Sequence, residues 1–426
     1  MENQNKKFWI GLVVGIGITA VLTIILTTAA LFLTGGFDND DYKKSIISSE
    51  KKDDTKDEGN TDGKLDYNPG DDAKANSIQE IIDRYYLNTV TEDAVAEGVY
   101  KGIMASLDDP YSVYYTKEEY ESIQASTQGT YCGIGAMVSQ NVNTGIITIV
   151  KVYQGTPAEK FGLLAGDIIY KVAGEEVTGV DLTTVVTKMK GEEGTDVEIV
   201  VAREGESDYI TKKVTRAQIE VPTIEYEMLA DKIGYIAVSE FDEVTAQQFR
   251  DALKDLESQG EQALIIDLRD NGGGVLSTAV DMLDRMIADG MLVYTETKEG
   301  VDEEFKAEDG DSFDKPLAVL VNGNSASASE VFSGAIQDYG IGKLVGTTTF
   351  GKGIVQSIIP LGDGSALKLT TAKYYTPKGR NIHDAGLEPD VEVELSDEAK
   401  KKSPLEKKDD NQLQTAIKEL KKDLKK

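Results

Sequence analysis

The sequence predicts an α/β fold, and two repeated patterns predict it. Ala263 to Leu268 and Leu317 to Val321 are near-continuous apolar runs, as strands buried on both faces should be. Each runs into a turn of small residues, Arg269-Asp270-Asn271-Gly272-Gly273-Gly274 and Asn322-Gly323-Asn324. A helical pattern comes after each turn, from Leu276 to Ala288 and onward to Asp338. Upstream, Ile233 to Val238 reads as a strand and Thr245 to Ser258 as a helix with Phe249, Ala252, Leu253 and Leu256 facing inward. Strand, turn and helix in repetition bring two loops to one end of a sheet, where α/β sites sit.

The chain of 426 residues has room for about three domains. With 45 Lys+Arg against 75 Asp+Glu, its net charge is −30, which repels phosphate backbones and argues against nucleic-acid binding. One Cys and one His exclude an intramolecular disulfide and a zinc cluster, so neither metal nor other cofactor is expected.

From Phe8 to Leu33 no residue is charged, and Ile, Leu, Val and Ala dominate. A helix of that length spans a hydrocarbon core of about 30 Å. Lys6 and Lys7 before it and Asp38, Asp40 and Asp41 after it place the N-terminus in the cytoplasm and the body outside, as a single-pass anchor in the cell membrane. The alternative is a cleaved signal peptide, whose apolar region is usually shorter. Residues 38–76 mix acidic and basic side chains with few apolar ones and read as a flexible acidic linker.

Residues 77–128 read as a helical segment, with Ile78, Ile81, Ile82 and Tyr85, then Val95, Val99, Ile103 and Met104 at three- and four-residue spacing, until Pro110 interrupts. Residues 129–216 turn to short strands around one helix capped by Asp181. Tyr131-Cys132-Gly133-Ile134-Gly135, Gly155-Thr156-Pro157-Ala158, Gly162-Leu163 and Gly166-Asp167-Ile168-Ile169, in that order, resemble a PDZ domain of the bacterial protease type. Gly133, Ile134 and Gly135 then form a loop of free N–H groups able to hold a peptide's terminal carboxylate beside a sheet edge.

Residues 217–395 carry the chemistry. Asn322 to Glu330 holds Ser325, Ser327 and Ser329 at the start of a helix, near unpaired N–H groups, and composition does not choose among them. The only histidine, His383, stands in a polar loop and reads as a surface residue. Lys352, between Gly351 and Gly353 and beside the apolar Phe350, Ile354 and Val355, is the better base, since desolvation lowers a lysine pKa toward neutrality. The run Gly346 to Lys352 also matches a phosphate-binding loop. Gly353 replaces its Ser or Thr, however, and β-branched residues stand where that loop needs a helix.

With the PDZ-like segment, Leu268 to Gly274, Gly323 to Glu330, Gly346 to Gln356 and Leu369-Thr370-Thr371-Ala372-Lys373-Tyr374-Tyr375-Thr376-Pro377, the chain resembles the carboxyl-terminal processing peptidases, tail-specific Ser–Lys proteases of peptidase family S41. The resemblance implies a crotonase- or Clp-protease-like α/β core with an inserted-type PDZ domain. It implies Ser327 as nucleophile, Lys352 as general base and Gln356 as the residue orienting that lysine. The oxyanion hole it implies is the N–H of Ala328 with that of Gly273, and Gly272, where the family often has Pro, leaves Gly274 open as the second donor. Asp338 matches an accessory acidic position and reads equally as a helix-end residue. Protein or peptide substrates with free C-termini, captured by the PDZ domain, are the implied partners. A non-catalytic PDZ scaffold on the same fold is the alternative. In residues 396–426 a charged tail contains one amphipathic helix, with Leu413, Ala416, Ile417, Leu420 and Leu424 on one face. It reads as a docking helix or as the contact of a homodimer.

Overall fold

The computed structural model describes residues 73–308, 310 and 312–425. The apolar run Phe8–Leu33 and most of the acidic linker lie outside these residues. Among the described residues no helix is long and apolar enough to cross a membrane. Two compact units divide the chain, one ending at Ala96 and one beginning at Glu97. The first contributes the helix Ala73–Tyr85, which opens inside the end of the expected linker and buries none of its side chains.

The helix ahead of Pro110 already ends at Ala105, and a strand, Val113–Tyr115, comes next, ahead of the helix Lys117–Thr127. Three residues are too few to show a period, so this strand was not legible among helices. It pairs antiparallel with Ala366–Tyr375, which makes the nominally helical segment part of a five-stranded sheet. A capping box opens the helix: Thr116 Oγ1 accepts the Glu119 N–H at 3.2 Å, and the Glu119 carboxylate accepts the Thr116 N–H at 2.8 Å.

The strands Thr130–Gly133 and Ala217–Glu220 pair antiparallel and form a stem. Between them lies a sheet in the order Ala136–Gln140, Ile147–Val152, Ile168–Val172, Asp196–Ala202, Ile210–Thr215, packed on the helix Leu182–Met189. Ile147, Ile149, Ile169, Val172, Val185, Ile199 and Val201 fill its core. Asp181 caps the helix through the Thr184 N–H, as its sequence position predicts.

The protease-like core is a six-stranded sheet in the order Ile224–Met228, Ile233–Val238, Ala263–Asp267, Leu317–Val321, Gly342–Gly346, Val391–Glu392. All neighbours after the first antiparallel pair run parallel. Successive side chains point to opposite faces, so both faces of these apolar strands need cover. Ile236, Val238, Leu264, Ile266, Val319 and Val321 pack on the helices Thr245–Ser258, Leu276–Asp284 and Ala328–Tyr339. Ile233, Ile265, Ala318, Leu320 and Val345 pack instead on Leu413, Ala416 and Leu420 of the helix Asn411–Asp423. The apolar face of the C-terminal helix is thus buried against its own core, which removes that face as a dimer contact.

Candidate active site

The two loops at the C-terminal end of the parallel strands are fastened to each other. Ser325 Oγ donates to the Leu268 carbonyl at 2.7 Å, Ser329 Oγ to the Asn271 carbonyl at 2.9 Å, and the Ala326 N–H to the same Asn271 carbonyl at 3.1 Å. Both hydroxyls are fully buried. Two of the three candidate serines therefore act as fasteners. Ser327 lies between them with its backbone at φ 55°, the left-handed region that disfavours residues other than glycine. That turn places Ser327 at the start of the helix Ala328–Tyr339 and on the wall of a cavity of about 600 Å³.

The strained turn is held by a buried carboxylate to which sequence reasoning gave no role. Glu330 Oε2 accepts the N–H groups of Ser327 at 2.9 Å and Lys352 at 2.8 Å. Its Oε1 accepts Thr349 Oγ1 at 2.5 Å and the Gly351 N–H at 2.8 Å. One side chain therefore ties the nucleophile loop to the lysine loop. The signal was present as Ser327-Ala328-Ser329-Glu330, a capping-box spacing. Tyr374, buried between the same loops, donates its hydroxyl to the carbonyls of Ser327 and Lys352.

Lys352, Gln356, Ala328 and Gly272 to Gly274 line the same cavity as Ser327. The Lys352 ammonium lies 4.7 Å from the centroid of the Tyr111 ring. Burial holds its pKa below the ordinary lysine value, and the charge of Lys368 adds to that against the pull of Asp109 and Glu330. Gln356 Nε2 is buried without a hydrogen-bond partner. After Lys352 comes the strand Ile354–Pro360, not a helix, so the phosphate-loop reading of Gly346 to Lys352 loses the helix N-terminus it requires.

Gly273 packs directly on Ser327: a Cβ there would stand 2.8 Å from Ser327 Cβ and 2.9 Å from Ala328 N. Its N–H, however, is donated to Asn271 Oδ1 at 2.8 Å. Gly274 bridges Phe241 in parallel fashion, with the bonds of that bridge made by Gly273 O and the Val275 N–H. In such pairing the middle residue turns its own N–H the other way.

Neither Asp338 nor His383 lines the cavity. Asp338 accepts the Lys378 N–H at 2.8 Å and pairs with Arg380 at 2.5 Å, holding the chain after Ala366–Tyr375 rather than facing the nucleophile; the helix-end reading is the one realised. His383 is half-buried rather than on the open surface, with its backbone against Gly353 and its Nδ1 enclosed without a partner.

In the strand-rich domain, Gly135 adopts φ 81°, and a Cβ there would stand 2.3 Å from Thr156 Cβ. The carbonyls of Ile134 and Gly135 are taken by the N–H groups of Ala158 and Tyr153. With Gly133 these residues lead into Ala136–Gln140, the edge strand of its sheet.

Known proteins match this arrangement over most of the chain. Residues 232–393 match the description Peptidase family S41, residues 148–203 a PDZ domain, and residues 24–119 the N-terminal domain of the activating protease CtpB. The carboxy-terminal processing protease CtpA of Bacillus subtilis is 37% identical over 401 residues, covering 94% of this chain and 79% of the relative. A carboxy-terminal-processing protease of Bartonella bacilliformis is 36% identical, covering 76% of this chain and 75% of the relative. The solved photosystem II D1 C-terminal processing protease is 28% identical, with a TM-score of 0.45 over 76% of this chain and 88% of its own. The chain belongs to peptidase family S41 as a carboxy-terminal processing serine protease carrying a PDZ domain.

Proposed function

We propose that the chain is a membrane-anchored extracytoplasmic endopeptidase that captures substrate C-termini in its PDZ loop and cleaves with Ser327 and Lys352. Neutral Lys352 Nζ takes the Ser327 hydroxyl proton as Oγ attacks the scissile carbonyl, then returns it to the leaving amine. Water repeats the cycle on the acyl-enzyme. The Ala328 N–H and the outward-turned N–H of Gly274 hold the tetrahedral oxyanion, a role Gly273 fills less well with its N–H committed to Asn271. Gln356 receives the lysine as it leaves the Tyr111 ring. The observation that carries this reading is the division among the three serines: Ser325 and Ser329 are bonded to carbonyls, and Ser327 is left on the cavity with Lys352.

Anchoring rests on the apolar run Phe8–Leu33. Any homodimer is better sought in the exposed Ile78, Ile81 and Ile82 than in the C-terminal helix, whose apolar face is occupied. The test uses the full chain in detergent with an unfolded protein substrate. Ser327→Ala and Lys352→Met each abolish cleavage while PDZ binding of a free C-terminal peptide persists. Absence of turnover in all three proteins would favour the non-catalytic scaffold instead, and equal turnover would remove Ser327 and Lys352 from the reaction.

A further inference from the structure

The cavity that holds Ser327 contains a second cation, Lys368, that neither gives nor takes a proton in the Ser–Lys chemistry. Lys368 stands on Ala366–Tyr375, opposite Ile358 of the neighbouring strand, as Thr370 stands opposite Gln356. Positions two apart share a face, so Lys368 looks into the cavity from the face that presents Gln356 and Ile358, and all three line it. Tyr115, on the strand Val113–Tyr115, completes this end of the wall, with the Lys368 ammonium 5.7 Å from its ring centroid.

Among the described residues no carboxylate pairs with Lys368. Other lysines of this acidic chain do find one: Lys315 pairs with Glu261 at 2.8 Å, and Lys343 with both Glu419 and Asp423. The carboxylates that line the cavity, Glu240 and Asp242, belong to the loop between Ile233–Val238 and Thr245–Ser258. The cavity therefore offers carboxylates on one element and an unpaired ammonium on another, a charge pattern that a bound peptide meets with opposite charges of its own.

We propose that Lys368 and Tyr115 form a carboxylate subsite of the active-site cavity, so that the protease selects substrates carrying an acidic group beside the scissile bond. This rests on the Ser327–Lys352 reading above and narrows its substrate class. An Asp or Glu side chain and the terminal carboxylate of a short chain end supply the same chemistry. The ring face of Tyr115 keeps the ammonium oriented while the site is empty, and the incoming carboxylate takes its open side.

The test uses the full chain in detergent and a hydrophobic host peptide scanned with Asp or Asn around the cleaved bond, each as free acid and as C-terminal amide. Ratios of kcat/KM between paired peptides are read, because any effect of residue 368 on Lys352 divides out. The wild type is expected to prefer either Asp over Asn at one position or acid over amide, by about tenfold. Lys368→Gln brings that ratio close to one, and Lys368→Glu inverts it in favour of the Asn peptide or the amide. The pair that loses its preference identifies the source of the carboxylate. Asp-over-Asn and acid-over-amide ratios that both stay the same in Lys368→Gln and Lys368→Glu overturn the subsite, and any acid-over-amide preference left in those variants belongs to the PDZ loop. Cleavage that Ser327→Ala does not remove sinks the protease reading itself.

Discussion

Replacing Glu330 with Gln tests whether one buried carboxylate holds the catalytic loops together. The carboxylate accepts four hydrogen bonds, two on each oxygen, from Thr349, Gly351, Ser327 and Lys352. The amide keeps one oxygen and turns an NH2 group toward two donors, so two bonds are lost and two buried donors face a third. A lost bond to a charged group is worth about 1.5–3 kcal/mol, so the variant should be less stable by about 3–5 kcal/mol. For a folded body of this size that corresponds to a fall in Tm of about 10 °C. Where the variant still folds, Ser327 and Lys352 lose the shared anchor of their backbones. A displacement of about 1 Å costs about a hundredfold in kcat, with KM little changed. Urea unfolding and single-turnover acylation of Ser327 separate the two effects. A Glu330→Gln protein with unchanged Tm and kcat would falsify the assignment of the four bonds.

As the proposed general base Lys352 must be neutral to act, so kcat/KM should rise as pH passes upward through its pKa. That limb should lie below the ordinary lysine range, because burial and Lys368 both lower the value. Tyr111→Leu removes a ring that favours the charged form, so the limb should move down by about half to one pH unit while Tyr111→Phe leaves it in place. Matching profiles for the two variants would remove Tyr111 from the account. Asp242 has its pKa pushed up to about 6, from 3.8, by burial and then by Glu240. A raised folded pKa gives stability that is complete below the unfolded value and is lost as pH rises through about 6. Asp242→Asn should therefore match the wild type near pH 4 and exceed it at neutral pH by up to about 3 kcal/mol in urea unfolding. Asp410 pairs with Arg269 at 2.7 Å and caps the C-terminal helix through the Gln412 and Leu413 N–H groups. Asp410→Asn should cost about 1–3 kcal/mol, and a change below half of that in thermal unfolding would show the helix held by its apolar face alone.

Much of this architecture was legible because it depends on period and punctuation. Ala263 to Ile266 and Leu317 to Val321 are apolar throughout because helices cover one face and Leu413, Ala416 and Leu420 the other. The letters announce burial on both faces but not which element supplies the second cover. For that reason the C-terminal helix read equally well as a docking helix and as a dimer contact. The choice of Ser327 as the candidate nucleophile was legible only by resemblance. Ser325, Ser327 and Ser329 are alike in composition, and what separates them is whether the hydroxyl meets a carbonyl of the loop 55 or more residues earlier in the chain. Such pairings are tertiary and leave no local signature. Glu330 is the opposite case: its spacing from Ser327 is local and readable, while its bonds to Thr349, Gly351 and Lys352 depend on a loop brought in from another strand.

The position of Lys352 ties protonation to catalytic readiness. An aromatic face attracts an ammonium through its quadrupole and has little hold on a neutral amine, a difference of about 1–2 kcal/mol in a desolvated setting. The contact with Tyr111 therefore favours the cation, the form that on the proposed mechanism cannot accept a proton from Ser327. Loss of that proton removes the charge and the hold together, leaving the side chain free to reach the hydroxyl. Gln356, whose amide is enclosed and unbonded, lies on the same wall and gains partners as the amine arrives. A substrate filling the cavity drives water from around the ammonium and shifts the balance toward the neutral amine. On the proposed Ser–Lys mechanism, binding of a peptide beside Ser327 thus generates the base that cleaves it.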